Sequence, residues 1–345
     1  MKKMLILVAI VSLMAGSLFA EEAVLIDFSL LAADIRVPLG PDDQDDTPNQ
    51  NRATMMDFSG GRFGRSFTEE QRRSMRTSLA IENWEVELNS SARTIHNMIR
   101  SFTREAPSRQ FGTVMGVRVH FPLENFHSMA FVRPPFEIPA FEPPANVSDD
   151  GTIEPADEED NGGATRFENG FGVVRNVGTI RSVAVNVYGL NFPHGLSTVL
   201  IDGEGNRRTI FMGHLNFDGW GELRWDNPAY IQEVRNRDLR LFPLYPDSMP
   251  HIKFGGFEIR RDAAHRGGDF ITYFKDVKLI FDRAVLDQDR DIDDERVWGI
   301  IRDRENARST WEMERFGQIQ VLRFLEAQRQ ATQTEFTPTP TVDGE

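Results

Sequence analysis

The sequence predicts a mostly β protein, an antiparallel β-sandwich followed by a C-terminal helical segment. Three observations carry this. Residues 165–282 run through short alternating apolar segments between turn residues, and in SVAVNVY (182–188) Val183, Val185 and Val187 share one face of a strand. Ser182, Asn186 and Tyr188 point to the other face. Residues 198–201 and 207–212 flank Asp202-Gly203-Glu204-Gly205-Asn206, a hairpin loop whose glycines and Asp/Asn accept positive φ angles. No comparable helical period interrupts the run, which argues against βαβ units and a parallel sheet. Val277, Leu279 and Phe281 alternate with polar residues and form its last strand.

At the start of the chain, Lys2-Lys3, the apolar run 4–11 and the small-residue stretch ending at Ala20 have the three parts of a secretory signal, with cleavage expected after Ala20. A retained membrane anchor is the competing reading. The apolar core is shorter than the roughly 20 residues a spanning helix needs. The chain has no cysteine, so after cleavage there is no lipid attachment site and no disulfide framework. Loss of Lys2 and Lys3 takes the formal charge from -14 to -16. That balance repels phosphates and sets nucleic acid aside as a partner.

Residues 23–28 (AVLIDF) read as a first strand that joins the later sheet. Residues 40–52 hold little to bury and read as an acidic disordered insertion. A helical turn is expected from Thr68, where Glu69 and Glu70 suit a helix N-terminus. In residues 81–88 Trp84, Val86 and Leu88 alternate with Glu85 and Glu87, giving a half-buried strand. These glutamates are a polar strand face before they are a glycosidase carboxylate pair. Residues 114–121 and 129–132 are further strands, stopped by Pro122 and by Pro134-Pro135.

Residues 142–165 form a second acidic insertion. Two readings remain, a boundary between two domains or an excursion from one sandwich spanning 21–283, and the second is preferred. Beyond it, DQDRD (287–291) imitates the start of a calcium loop, but Ile292 stands where the turn glycine belongs and Trp298 where the bidentate glutamate belongs. Asp293, Asp294 and Glu295 instead start a helical segment over 284–327. In it Val297, Ile300, Ile301, Trp311, Phe316, Ile319 and Leu322 make an apolar stripe that either packs on the sandwich or docks a neighbour. Residues 328–345 read as a disordered tail.

No nucleophile elbow, phosphate-binding glycine loop or H-E-x-x-H motif occurs. The seven histidines lack ligand spacing, although His194 and His214 share the β-rich region. The sequence therefore implies no enzyme, no metal and no cofactor. The aromatics say more: Trp220 and Trp225 stand among small and polar residues, with Tyr188, Tyr230 and Tyr245 in the same half. They are core, interface anchors, or rings that cover a sugar face.

Residues 23–28, 82–88 (ENWEVEL), 116–122 (GVRVHFP), 187–189 (VYG), 215–220 (LNFDGW) and 274–278 (FKDVK) together resemble the flagellar filament outer layer (sheath) proteins of spirochaetes, the FlaA family. The two acidic insertions and the tail after Leu286 carry least of it. The resemblance implies a non-enzymatic coat on the flagellin core of periplasmic flagella, with a jelly-roll sandwich like that of carbohydrate-binding modules. Its implied partners are the core flagellins, other copies of itself or related sheath subunits, and glycan on flagellin as a further candidate. A secretory signal fits a coat that reaches the filament from the periplasm. The alternative reading is a periplasmic glycan-binding sandwich module.

Overall fold

The computed structural model describes residues 21–32, 52–58, 75–148, 153–156, 165–238, 245–246, 249–284, 291–292 and 294–334, excepting side chains at 52, 155, 236–238 and 324–334. The expected leader (1–20), most of the first insertion, the turn expected at Thr68, residues 287–290 of the loop that imitates a calcium site and residues 335–345 lie outside them.

The chain opens with β1 (Glu21–Asp27), and a 3-10 turn (Phe28–Leu31) follows, capped by Asp27, whose carboxylate accepts the Ser29 N–H. Short strands β2 (Met56–Asp57) and β3 (Arg76–Thr77) pair with each other. Next come β4 (Glu85–Leu88), helix α1 (Ile95–Ile99), β5 (Phe102–Ser108), β6 (Gly112–Phe121) and β7 (Ser128–Arg133). Within the second acidic insertion, β8 (Ala145–Val147) and β9 (Ile153–Pro155) form a small hairpin, where the composition indicates only loop.

The β-rich run holds β10 (Val173–Arg175), β11 (Val177–Leu190), β12 (Gly195–Asp202), β13 (Arg207–His214) and β14 (Asp218–Asp226). Helix α2 (Tyr230–Asp238), β15 (His251–Arg261) and β16 (Gly268–Arg283) complete it. The chain then continues through α3 (Asp294–Trp298) and the long α4 (Ile300–Thr334), which passes the expected helix end at 327.

Among the described residues the principal strands make two antiparallel six-stranded sheets. Sheet I has the order β14-β11-β16-β6-β5, with β1 also on β16; sheet II has β13-β12-β15-β7-β4, with β10 also on β15. The predicted alternation decides which faces meet. Val183, Val185 and Val187 of β11 and Val277, Leu279 and Phe281 of β16 are buried between the sheets. Phe257 of β15 stacks on Phe274 of β16 with centroids 4.1 Å apart, joining the layers at their centre. Phe28 and Trp84, from before the acidic insertion, enter the same cluster, and Phe28 lies edge-on to Trp84 at 5.4 Å.

Two expectations need correction. Helix α2 does interrupt the strands. It escaped the pattern because polar contacts hold it: Asn227 Oδ1 accepts the Ala229 N–H, while its Nδ2 donates to Ile180 O and to Glu233. Residues 81–83 are a 3-10 turn rather than strand, since Thr103 donates to the Ile81 carbonyl and the Trp84 indole to the Leu79 carbonyl. The alternation of Trp84, Val86 and Leu88 continues into β4 beyond that turn.

Candidate functional site

Four aromatic rings lie in successive contact on the solvent face of sheet I. Tyr188 of β11 faces away from the core because its neighbour Val187 faces inward, and the register sets it beside Trp220 of β14 and Tyr273 of β16. Tyr188 meets Trp220 at 5.3 Å and Tyr273 at 5.8 Å, both edge-on, and Phe111 from the β5–β6 turn meets Trp220 at 4.9 Å. All four are half-buried. Glycines make room for these rings. A side chain at Gly189 or Gly221 would collide with Phe217, whose ring tucks beneath, and Gly116 lies against the Tyr273 ring. Exposed Asp218 and Glu222 flank Trp220 on the same face of β14.

The other three candidate aromatics lie elsewhere. Trp225 is on the inward face of β14, packed against the core with the Arg208 guanidinium 5.1 Å from its ring. Tyr230 donates from its hydroxyl to Asp282 at 2.7 Å and carries Arg181 over its ring. The Tyr245 hydroxyl accepts the Ile300 N–H at the start of α4. Phe111 and Tyr273 escaped the sequence reading, because only the β11–β16 register and the path of the β5–β6 turn bring them to Trp220.

Helix α4 presents two unlike faces. Its inward face rests on the sheet II side of the sandwich through Phe316, which is fully buried, and through charged groups. Arg308 donates to the Gly203 carbonyl of the β12–β13 turn, Gln320 and Arg323 donate to Pro135 O, and Arg323 lies 3.5 Å from Glu85. Arg315 and Lys253 both approach Glu137 at 3.0 Å. Burial raises the Glu137 pKa, but these two cations outweigh it and hold the carboxyl below its usual range. The outward face exposes Trp311 (60%) and Leu322 (66%), with Ile319 on its shoulder. Trp311 and Phe316 are five residues apart, about 140° around a helix, so the predicted stripe divides between two faces. Glu85 and Glu87 are engaged as well, Glu87 pairing with Arg133 at 2.7 Å.

A cavity of about 590 Å³ opens at one end of the sandwich, with His127, His214, His265, Arg260, Asp262 and Phe211 among its lining. His194 lies nearby, stacked on Phe270 at 4.8 Å and 6.4 Å from His265. Burial, His265 and Arg261 lower its pKa to about 4. Among the described residues no group of three or more His, Cys, Asp or Glu is placed to hold a metal ion. No described helix is long and apolar enough to cross a membrane.

Comparison with known proteins gives a consistent result. A family model described as flagellar filament outer layer protein Flaa matches residues 47–290. A flagellar filament outer layer protein of Treponema pallidum (strain Nichols) is 47% identical over 345 residues, covering 98% of this chain and 97% of that protein. One from Spirochaeta aurantia is 42% identical, covering 92% of this chain and 90% of that protein. Among solved structures, the module TmCBM61 in complex with β-1,4-galactotriose aligns over 58% of this chain and 88% of its own at 10% identity. Its TM-score of 0.26 carries no argument about sugar binding here.

Proposed function

Since this chain belongs to the FlaA family of flagellar filament outer layer proteins, we propose that it is a structural coat subunit that docks laterally on the flagellin core of periplasmic flagella. The observation that carries this is the 47% identity to a protein of that name along nearly the whole of both chains. On this reading the subunit reaches the filament from the periplasm, exported by the leader that ends at Ala20. It works by geometry rather than by chemistry. Many weak contacts repeated in register give tight coating without one strong site, and the added layer stiffens the filament and biases its helical shape.

Deleting the gene and imaging purified periplasmic filaments tests this. The expected result is thinner filaments of altered curvature with impaired swimming, restored by the intact gene. Filaments of unchanged diameter and shape would refute it.

A further inference from the structure

We propose that His251 is a proton-operated release for helix α4, in which a proton on the buried ring frees the first half of the helix from the sandwich while the sheets stay folded. The inference is independent of the coat reading.

His251 opens β15 and is 3% exposed. Its ring lies edge-on to Phe141 at 5.1 Å. The same Phe141 ring carries the Arg308 guanidinium of α4 at 5.1 Å and the Arg175 guanidinium of β10 at 5.9 Å. Gly203 of the β12–β13 turn packs against the imidazole, since a side chain there would lie 3.3 Å from its Cε1, and the Gly203 carbonyl accepts from Arg308. One aromatic ring and one glycine thus join the imidazole to the helix. Among the described residues none hydrogen-bonds the buried His251 Nε2.

This setting suits a neutral ring and penalises a charged one. An imidazolium would stand beside Arg308, Arg175 and, on β15 itself, Lys253, with no acceptor at Nε2. The carboxylates on the other sides are already engaged. Asp202 accepts the Glu204 and Asn206 N–H groups, Glu204 accepts the Asn206 amide, and Glu233 of α2 accepts Asn227. Arg208 of β13 and Arg304 of α4 add positive charge around the adjoining cavity of about 590 Å³. On α4, Glu312 lies 3.5 Å from Arg308, and burial raises the pKa of Glu305 beside Arg308 and Arg175. Asp202 favours the charged ring, but burial, Lys253, Arg308 and Arg175 outweigh it and lower the ring to about 4.

The helix is the part that gives way. Strand β15 runs between β12 and β7 in the middle of sheet II, and its Phe254 and Phe257 are core. Helix α4 is held at this end by polar contacts: Arg308 to Gly203 O, Arg304 to Pro246 O at 2.9 Å and the Ile300 N–H to Tyr245. Fully buried Phe316 lies eight residues beyond Arg308. Such an element opens locally at less cost than the core strands. Opening brings water to the imidazole and parts it from Arg308. The closed state holds the ring neutral and the open state titrates at the ordinary 6.5, so release is absent above about pH 6.5 and grows as pH falls toward 4. Glu305 and Glu85, raised by burial, take up protons more readily in the closed state and act the other way.

Amide hydrogen exchange reads the release. Chains from Glu21 onward, which hold every described residue, are exchanged at pH 7 and pH 5, with rates divided by those of unstructured peptides at the same pH. A ring that regains 6.5 on opening makes residues 300–316 open about twentyfold more often at pH 5 than at pH 7. His251→Gln should abolish that factor, and the difference between the two chains cancels the glutamates. His194→Gln, which alters the other buried imidazole, should leave it, whereas β11 and β16, which exchange when the whole domain unfolds, should respond to both variants. The pH profile of the unaltered chain needs no variant: opening of 300–316 should set in near pH 6.5. Opening equal at the two pH values, or a rise that begins only near pH 4, would overturn the inference. So would a rise that persists in His251→Gln, or one that His194→Gln reduces as much.

Discussion

Acid should destabilise this protein through two buried imidazoles, above the pH at which its lowered carboxylates titrate. His194 and His251 are each only 3% exposed. Burial, reinforced by His265 and Arg261 around His194 and by Lys253, Arg308 and Arg175 around His251, lowers each from 6.5 to about 4, with Asp202 opposing weakly at His251. The folded chain thus holds both rings neutral, while the unfolded chain takes up protons at the ordinary 6.5. The stability that depends on neutral rings is complete above about pH 6.5 and is lost as pH falls toward 4. Between pH 7 and pH 5 the loss is about 2 kcal/mol per ring and about 4 kcal/mol for the pair, a large part of the ~5–15 kcal/mol that a domain has. Carboxylates held low, such as Glu137 and Asp27, act below this window, because their stabilising charge is lost only as pH falls below the ordinary carboxylate range. Urea unfolding at pH 7 and pH 5, followed by tryptophan fluorescence, measures the loss, and His251→Gln should roughly halve it. Stability equal at the two pH values, or a full loss persisting in the double variant His194→Gln/His251→Gln, would refute the reasoning.

Three further outcomes follow from packing. Gly256 has φ +118°, and a side chain there would strike the Val132 carbonyl, so Gly256→Ala should cost about 2 kcal/mol or more in a urea melt. The buried Arg261 guanidinium donates to Pro122, Glu124 and Phe126 carbonyls at 2.7 Å each; Arg261→Met leaves all three without that donor and should cost about 3 kcal/mol by the same measurement. Phe316→Ala should loosen α4 from sheet II at a cost of about 3 kcal/mol, with protease cutting within α4 faster than in the unaltered chain.

Much of the sandwich was legible because burial enforces a period of two. The valines of β11 and the last turns of β16 show their inward face in sequence alone, and the glycine-rich loop at 202–206 marks the β12–β13 hairpin. The less legible elements are held by polar groups that leave no periodic trace. Asn227 anchors α2, Thr103 shapes the turn at 81–83, and the carbonyl of Pro135 recruits Gln320 and Arg323 of α4. The candidate site shows the same division. Tyr188 and Trp220 stood out by composition, yet their meeting and the addition of Phe111 and Tyr273 depend on register between strands far apart in the chain. Trp225, alike in sequence context, points inward because it is an odd number of residues from Trp220 on the same strand.

The coat account is tested most directly by sedimenting the chain from Glu21 onward with purified core filaments across a salt series. Saturable pelleting that needs filaments and weakens as salt rises is the expected result, since the account sets a chain that carries -16 from Glu21 onward against a basic core surface. No pelleting at any salt would contradict the coat itself, and pelleting indifferent to salt would contradict its electrostatic part.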